Sequence, residues 1–232
     1  MRAARRLLIL FLAFIPILSA GAVSAARRNA ANLLALWGLT GDSAALDQAM
    51  NAFAEDTSCR ALWMMGLMSH ARGNVEQRDV RWERFLACEP SGIPFVAAYL
   101  REDRAWAERV VRLFPDRAES WFWLAHLAER DDPALAAEAY RRGLEIAPYD
   151  GMRWQSYGFV LLRTAGEEAA LQAFIRSCEM GGNGCRRVGA IMERRGDLET
   201  AIRYYRADRS PEFHRYADEL ERKMRNKDGG VP

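Results

Sequence analysis

Residues 154–174 read WQSYGFVLLRTAGEEAALQAF, and they show most clearly how the chain folds. Gly166 divides this stretch into two segments in which apolar residues recur three or four positions apart, as on one face of a helix. Gly158, in the middle of the first segment, is the small residue that would let the two helices approach closely. The stretch therefore predicts a helical hairpin.

The chain from Ser58 onward has the same organisation. Helical segments of about 12 to 14 residues alternate with short breaks rich in the residue types that end helices. No stretch shows the sustained period-two alternation of polar and apolar residues that marks strands. The breaks contain Gly73-Asn74, Pro90-Ser91-Gly92, Pro115-Asp116, Asp131-Asp132-Pro133, Pro148-Tyr149-Asp150, Gly166, Gly181-Gly182-Asn183-Gly184 and Gly196-Asp197.

These hairpins resemble tetratricopeptide repeats (TPRs), whose signature W-x2-L-G-x2-Y, then A-x3-F, then P returns about every 34 residues. The residues that match the signature are Trp154, Tyr157, Gly158, Leu161, Ala170 and Phe174 in this unit, and Gly66, Ala125 and Gly189 at the glycine position of three others. Arg78 stands where the family has a small residue.

The resemblance implies an all-α fold, a right-handed α-solenoid of TPR-like helical hairpins over residues 58–209. Each hairpin cannot bury its apolar face alone, so stacking of neighbours builds one continuous core. Residues 27–57 match only as a degenerate hairpin, and residues 210–226 are expected to form a C-terminal capping helix. Residues 227–232 are expected to be a disordered tail, and one N-terminal hydrophobic helix precedes the whole array.

That N-terminal segment, residues 1–26, has the pattern of an export signal. MRAARR is basic, residues 7–23 carry no charge, and Val23-Ser24-Ala25 suits cleavage after Ala25. As a helix, the same run is about 30 Å long, enough to cross a bilayer. A cleaved signal peptide and a single transmembrane anchor both remain open. The basic residues before the run place the rest of the chain outside the cytoplasm.

The charge balance argues against nucleic acid as a partner. The formal net charge is +2, and without residues 1–25 the chain keeps 30 basic and 31 acidic side chains, because Arg2, Arg5 and Arg6 lie in the removed segment. Nucleic-acid binding normally needs a clustered positive face, and the remaining chain has none.

The four cysteines, Cys59, Cys88, Cys178 and Cys185, are an even number, which in an exported chain suggests two disulfides. The repeat register implied by the resemblance pairs Cys59 with Cys88, because the first residue of one helix and the last residue of its antiparallel partner lie side by side. It also pairs Cys178 with Cys185 across the glycine-rich loop.

No catalytic, metal or cofactor site can be assigned. The cysteines form no CxxC pair and His70, His126 and His214 are scattered, which does not suit a metal. The glycine-rich loop at 181–184 lacks the Lys-Ser/Thr ending of a phosphate loop. No paired-carboxylate, Ser/His/Asp or Cys/His arrangement is present, so the chain is expected not to be an enzyme.

The resemblance also implies a groove, lined by the first helix of each hairpin, that takes an extended peptide or a partner helix. The residues expected to line it are Arg60, Trp63, Leu67, His70, Phe122, His126, Arg130, Met152, Gln155, Phe159, Arg163, Arg186, Ala190 and Arg194.

Arg130, Arg163 and Arg194 hold the same repeat position and are expected to form a column that binds an acidic or carboxylate-bearing peptide. On this interpretation, replacing Arg130 and Arg163 together abolishes partner binding. The alternative is that the aromatic residues belong to the core and that the three arginines pair with nearby carboxylates. Those carboxylates are Glu129, Glu167 and Glu193.

Together these features predict an extracytoplasmic protein-protein interaction module, a scaffold or assembly factor of a membrane or envelope complex. Its partner would be a protein or peptide. If the N-terminal helix is uncleaved, that helix would also anchor the chain in the membrane. Otherwise it would be secreted or periplasmic. The alternative is an accessory subunit supporting an envelope polysaccharide polymerase or transferase.

Overall fold

The computed structural model describes residues 32, 37, 40–53, 56, 58–100 and 102–228. The export segment predicted at 1–26 lies outside the described residues, as does most of the segment from 27 to 39. Within the described part of the chain, no helix is both long and apolar enough to cross a membrane. The chain divides into two compact units, Met1–Gly92 and Ile93–Pro232, and the division falls at a predicted break.

The first unit contains three described helices followed by a single 3-10 turn. They are α1 (Ser43–Phe53), α2 (Cys59–Ala71), α3 (Val75–Cys88) and the turn Pro90–Gly92. Helices α2 and α3 pack on each other as an antiparallel hairpin, and α1 packs on α2. Both helices have an N-cap: the Ser58 hydroxyl accepts a backbone N–H in the first turn of α2, and the Asn74 side chain accepts one in the first turn of α3.

The core of this hairpin forms around Trp82. A side chain at Gly66 would collide with the Trp82 indole, which is fully buried, so the glycine allows α2 and α3 to approach. Trp63 stacks on the same ring at a centroid distance of 5.6 Å. Arg78, where a small residue was expected, is buried with its guanidinium 5.8 Å from the Trp82 ring and 2.7 Å from the Asp79 carboxylate. That ion pair makes burial of the charge tolerable.

The second unit contains nine described helices. They are α4 (Ile93–Tyr99), α5 (Arg104–Leu113), α6 (Ala118–Ala128), α7 (Pro133–Ile146), α8 (Gly151–Thr164), α9 (Glu167–Glu179), α10 (Gly184–Arg194), α11 (Leu198–Ala207) and α12 (Pro211–Asp228). Three hairpins, α6–α7, α8–α9 and α10–α11, follow one another, and the second helix of each packs on the first helix of the next. The predicted all-α, TPR-like arrangement is confirmed for the described residues.

Aspartates fix the starts of these helices. The carboxylates of Asp103, Asp132, Asp150 and Asp197 each accept a backbone N–H two or three residues later, at 3.0 to 3.1 Å. Such caps satisfy backbone donors that have no partner within the helix, and each contributes about 1 kcal/mol. Each of these aspartates therefore marks the residue after which a helix begins.

The two helices of a hairpin meet where a glycine of the first faces an aromatic ring of the second. A Cβ atom at Gly158 would lie 2.5 Å from Cε1 of Phe174, and one at Gly189 would lie 2.8 Å from Cδ1 of Tyr205. Phe174 then packs with Leu171 and with residues of α10 in one buried cluster. The small residues of the repeat signature therefore allow the two helices of a hairpin to approach closely, as predicted.

Helix α12 covers the last hairpin. Phe213 stacks on Tyr205 with centroids 5.7 Å apart, and Ala217 is fully buried against α11. Its other side is polar and carries an ion pair between Lys223 and Glu219 at 2.9 Å. The helix continues to Asp228, two residues past the predicted end at 226.

Two disulfides join the described cysteines in the pairs implied by the repeat register. Cys59 and Cys88 connect the start of α2 to the end of α3, with Cα atoms 5.7 Å apart. Cys178 and Cys185 close the loop between α9 and α10, with Cα atoms 4.6 Å apart. No described cysteine is left as a free thiol.

Candidate functional site

Helix α8 carries three large apolar side chains that stay partly exposed. Met152 is 66 % exposed, Leu162 40 % and Phe159 38 %. Positions seven and ten residues apart lie within one third of a helical turn of each other, so the three side chains share a face. We call these three residues the α8 surface. Gly158 and Val160, which flank Phe159 in the sequence, are buried in the unit.

Phe159 is held in place although it is partly exposed. Its ring meets the buried Phe174 ring edge to face, with centroids 5.3 Å apart. The guanidinium of Arg187, from α10, also lies 4.8 Å from the Phe159 ring centroid. An aromatic ring fixed by a core side chain and a cation is a rigid contact element, which costs little entropy to immobilise further.

A second arginine of α10 reaches in the other direction. The Arg186 guanidinium lies 5.7 Å from the centroid of Phe213, on α12. Its Nε atom is buried and has no hydrogen-bond acceptor among the described residues. Neither the Arg186 nor the Arg187 guanidinium forms an ion pair with a carboxylate of the described residues, and Arg187 is exposed to solvent.

The predicted arginine column does not form as three free side chains. Arg163 donates from Nη1 to the Glu129 carbonyl oxygen at 2.5 Å and from Nη2 to the Arg130 carbonyl oxygen at 3.4 Å. These carbonyls lie at the C-terminal end of helix α6, which is the negative end of the helix dipole and therefore favours a cation. Arg194 forms an ion pair with Glu167. Of the three, only Arg130 has an exposed side chain with neither a hydrogen bond nor an ion pair to the described residues.

The alternative interpretation expected Arg130, Arg163 and Arg194 to pair with the carboxylates of Glu129, Glu167 and Glu193. One such ion pair is present among the described residues, between Arg194 and Glu167. The Glu129 carboxylate instead accepts from the Tyr140 hydroxyl. Glu193 accepts from two hydroxyls, Tyr205 at 2.8 Å and Tyr216 at 2.7 Å. The carboxylates of Glu129 and Glu193 are therefore hydrogen-bonded to tyrosine hydroxyls of later helices instead of to these arginines.

The two arginines beside Glu167 should hold its pKa low. Hydrogen bonds from Arg194 and then Arg195 to the carboxylate lower the pKa of Glu167 from its ordinary value of 4.5. A lowered folded-state pKa means that this group favours folding above pH 4.5 and that the contribution is lost as the pH falls through the folded-state pKa.

We expect a carbon-detected NMR titration to give a Glu167 pKa below 4.5, and the double variant Arg194→Gln, Arg195→Gln to return it toward that value. Arg203→Gln, which changes a cation on α11 that makes no described contact with Glu167, is the control and should leave the titration unchanged. An identical Glu167 pKa in the wild type and the double variant would contradict the ion-pair geometry.

Phe122, an expected groove residue, belongs to the core instead. It is 6 % exposed, and a Cβ atom at Gly143 of α7 would collide with its ring. The Arg153 guanidinium covers it at 5.0 Å from the centroid. The glycine of α7 leaves room for the ring inside the hairpin, so Phe122 is not available to a partner. His126 is exposed, with Nδ1 3.7 Å from a Glu129 carboxylate oxygen.

Four expected groove residues lie in the first unit. Arg60 is exposed on α2, whereas Leu67 is buried. Trp63 is half-buried against Trp82 and Phe85. His70 is half-buried with its ring 5.8 Å from the Trp82 centroid, and burial together with the charge of Arg78 lowers its pKa below 6.5. A histidine that is neutral at pH 7 contributes no charge to this part of α2.

Two residues of the site were missed at the level of sequence. Leu162 lies beside Arg163, and Arg187 lies beside Arg186. Repeat register selected Arg163 and Arg186, whereas Leu162 is exposed beside Arg163 and Arg187, not Arg186, lies over Phe159. The sequence contains no signal for the contact of Arg187 with Phe159, because it joins two helices of different hairpins. In the described residues no group of three or more histidine, cysteine, aspartate or glutamate side chains is placed to hold a metal ion.

No protein-family model matches the chain, and no curated protein sequence matches it. Among solved structures it is similar to MamA, residues 41 to the end, from Desulfovibrio magneticus RS-1, with 16 % identity over 68 % of this chain and 97 % of that one and a TM-score of 0.42. Similarity to yeast Tom70 covers 84 % of this chain and 47 % of that one at 13 % identity, with a TM-score of 0.48.

A third similar structure is Cut9 in the APC/C hetero-tetramer Cut9-Hcn1, with 12 % identity over 94 % of this chain and 45 % of that one and a TM-score of 0.46. The TPR-like architecture of this chain is evident from its own hairpins, from the glycines that face aromatic rings and from the packing of each hairpin on the next.

Proposed function

We propose that this chain is a non-catalytic protein-binding module that works outside the cytoplasm, as a scaffold or assembly factor of a membrane or envelope complex. The observation that carries the proposal is the α8 surface. Met152, Phe159 and Leu162 stay exposed on a helix that also contributes Gly158 and Val160 to the core. An apolar face bordered by arginines has the composition of the centre and rim of a protein interface.

The energetic argument concerns these same side chains. Complete burial of a methionine, leucine or phenylalanine side chain is worth about 1.5 to 3 kcal/mol. Phe159 is already fixed by Phe174 and Arg187, so a partner that covers it loses little side-chain freedom. Rigid aromatic anchors of this kind commonly dominate the affinity of protein interfaces.

The compartment is inferred from the cysteines and the N-terminus. Both disulfides join helix ends in the described chain and no described thiol is free. Disulfides persist in oxidising compartments such as the periplasm or the extracellular space. The basic and then apolar pattern of residues 1–26 supports export to the same side, with attachment to the membrane if that segment is retained.

Substitution of the α8 surface should remove the partner. In native membranes, chemical cross-linking followed by gentle solubilisation and mass spectrometry should recover a stoichiometric protein partner with the wild-type chain. The double variant Met152→Glu, Leu162→Glu should recover at least about tenfold less, because two carboxylates would replace buried apolar contacts. The same samples show whether peptides from residues 1–26 survive.

A matched control is the double variant Leu113→Glu, Ile146→Glu. Both residues are similarly exposed in the second unit, at the ends of α5 and α7, and do not belong to the α8 surface. The control should retain the partner, and circular dichroism should show unchanged helicity for both variants. Equal recovery of the partner by the α8 variant and the wild type would refute this surface as the binding site.

A further inference from the structure

The disulfide between Cys59 and Cys88 lies at the surface of the first unit. Cys88 is exposed and Cys59 is half-buried, whereas in the second unit Cys178 is half-buried and Cys185 is only 4 % exposed. Thiol–disulfide exchange begins with the attack of a thiolate on one of the two sulfur atoms, so access to that sulfur limits the rate. Of the two described disulfides, the one in the first unit is therefore the more accessible to an external thiol.

The two ends of this disulfide lie at opposite ends of helix dipoles. Cys59 is the first residue of α2, and Cys88 is the last residue of α3. A helix dipole is positive at its N-terminus and negative at its C-terminus, so a thiolate is stabilised at the start of a helix and disfavoured at its end. When the bond breaks, the electron pair is therefore better placed on Cys59, and the incoming sulfur on the exposed Cys88. Access and leaving-group stability favour the same direction of attack.

Contacts away from the two cysteines also hold α2 against α3. The Trp82 side chain is fully buried over Gly66, and Trp63 stacks on its ring with centroids 5.6 Å apart. The disulfide therefore closes one end of a hairpin that is packed along its length, and opening the bond does not remove that packing. Loop length determines how much the bond stabilises the unit, whereas exposure determines how fast the bond is exchanged.

We infer that Cys59–Cys88 is a thiol-exchange site, at which an external thiol becomes attached to Cys88 while the first unit stays folded. The incoming thiolate attacks Sγ of Cys88 and forms a new S–S bond to it. The bond between Cys59 and Cys88 breaks, its electron pair remains on Sγ of Cys59, and that thiolate takes a proton from water. The entering thiol is oxidised as Cys59 is reduced, so the step needs no further oxidant or reductant. The site does not use the α8 surface, and the inference does not depend on the proposed function.

Only two groups can remove the adduct from Cys88. The chain has four cysteines, and the other two are bonded to each other, so no additional thiol of the chain is free. Attack by the Cys59 thiolate expels the external thiol and restores the original bond. Attack by a second external thiolate leaves Cys59 and Cys88 as two thiols and releases the external pair as a disulfide. A small thiol and a dithiol protein share this chemistry, and the test separates them.

The test treats the oxidised full chain with excess reduced glutathione, stops exchange with N-ethylmaleimide and locates both labels by peptide mass spectrometry. We expect glutathione on Cys88 and the maleimide on Cys59, with this bond opening at least about tenfold faster than Cys178–Cys185. The double variant Cys178→Ser, Cys185→Ser is the control and should form the Cys88 adduct at the wild-type rate. In a parallel series at equal thiol concentration, reduced thioredoxin should react faster than glutathione if a dithiol protein is the natural reactant, and more slowly if a small thiol is.

Three results would overturn the site. Glutathione found mainly on Cys59 would reverse the attacked and leaving sulfurs. Opening of Cys178–Cys185 at the same or a higher rate would show that exposure does not select the first bond. The rates are also measured in urea below the unfolding transition, where exchange from the folded unit should change less than about twofold. A rate that rises steeply together with amide hydrogen exchange in α2 and α3 would show that unfolding, not surface access, admits the thiol.

Discussion

Replacing Phe174 with alanine should lower the free energy of unfolding of the second unit by about 3 to 5 kcal/mol, the usual cost of truncating a buried phenylalanine. Phe174 is 1 % exposed and packs with Leu171, Val188 and Ile191, so its removal opens a cavity where α9 meets α10. Native-state hydrogen exchange measures this loss at the amides of α8 to α11, separately from the first unit.

The contact between Gly158 and the Phe174 ring can be tested by a double-mutant cycle. Gly158→Ala should destabilise the wild type by about 1 to 3 kcal/mol through overpacking, since its Cβ would lie 2.5 Å from Phe174 Cε1. In the Phe174→Ala background the ring is gone, and Gly158→Ala should become neutral or stabilising because alanine favours helix by about 1 kcal/mol over glycine.

The control for this cycle is Gln172→Ala, at an exposed position of α9, which should change stability by less than about 0.5 kcal/mol. If Gly158→Ala costs the same free energy in both backgrounds, the close approach of α8 to the Phe174 ring is not what requires glycine at this position.

The residues that determine how a hairpin closes could be recognised in the sequence. A glycine inside an otherwise helical segment is unfavourable unless something packs against it, so Gly66, Gly158 and Gly189 mark the contact between paired helices. Once that contact is fixed, antiparallel packing leaves little freedom at the helix ends. This is why the same register also placed Cys59 beside Cys88.

The residues on the open face could not be identified in the same way. Phe122 and Phe159 were both expected in the groove, yet Phe122 is enclosed because Gly143 on the paired helix leaves space for its ring. Phe159 meets a ring and a guanidinium from other helices and stays partly exposed. Repeat register describes one hairpin, whereas exposure depends on residues of the neighbouring helix and the neighbouring hairpin.

Arg163 shows the same limit for charge. Its position suggested a free cation, but its guanidinium binds carbonyl oxygens of Glu129 and Arg130 at the end of α6. Those acceptors are backbone atoms that every sequence has, so no side-chain pattern reveals them. Replacing Arg130 and Arg163 together is therefore a poor test of partner binding, because it also removes a contact between two hairpins.

Removing the disulfide between Cys59 and Cys88 should destabilise the first unit more than removing the other disulfide destabilises the second. The bonded cysteines are 29 residues apart in the first case and 7 in the second. Since the stabilisation arises from restricting the unfolded chain, the chain-entropy relation gives about 3.5 kcal/mol for the long loop and about 2.5 kcal/mol for the short one.

The variants Cys59→Ser, Cys88→Ser and Cys178→Ser, Cys185→Ser test this by native-state hydrogen exchange, with α2 and α3 reporting on the first unit and α8 to α11 on the second. Each variant should match the reduced wild-type protein in its own unit, which controls for the serine substitutions themselves. A long-loop variant as stable as the oxidised wild type would show that α2 and α3 hold together without the bond, by packing around Trp82 alone.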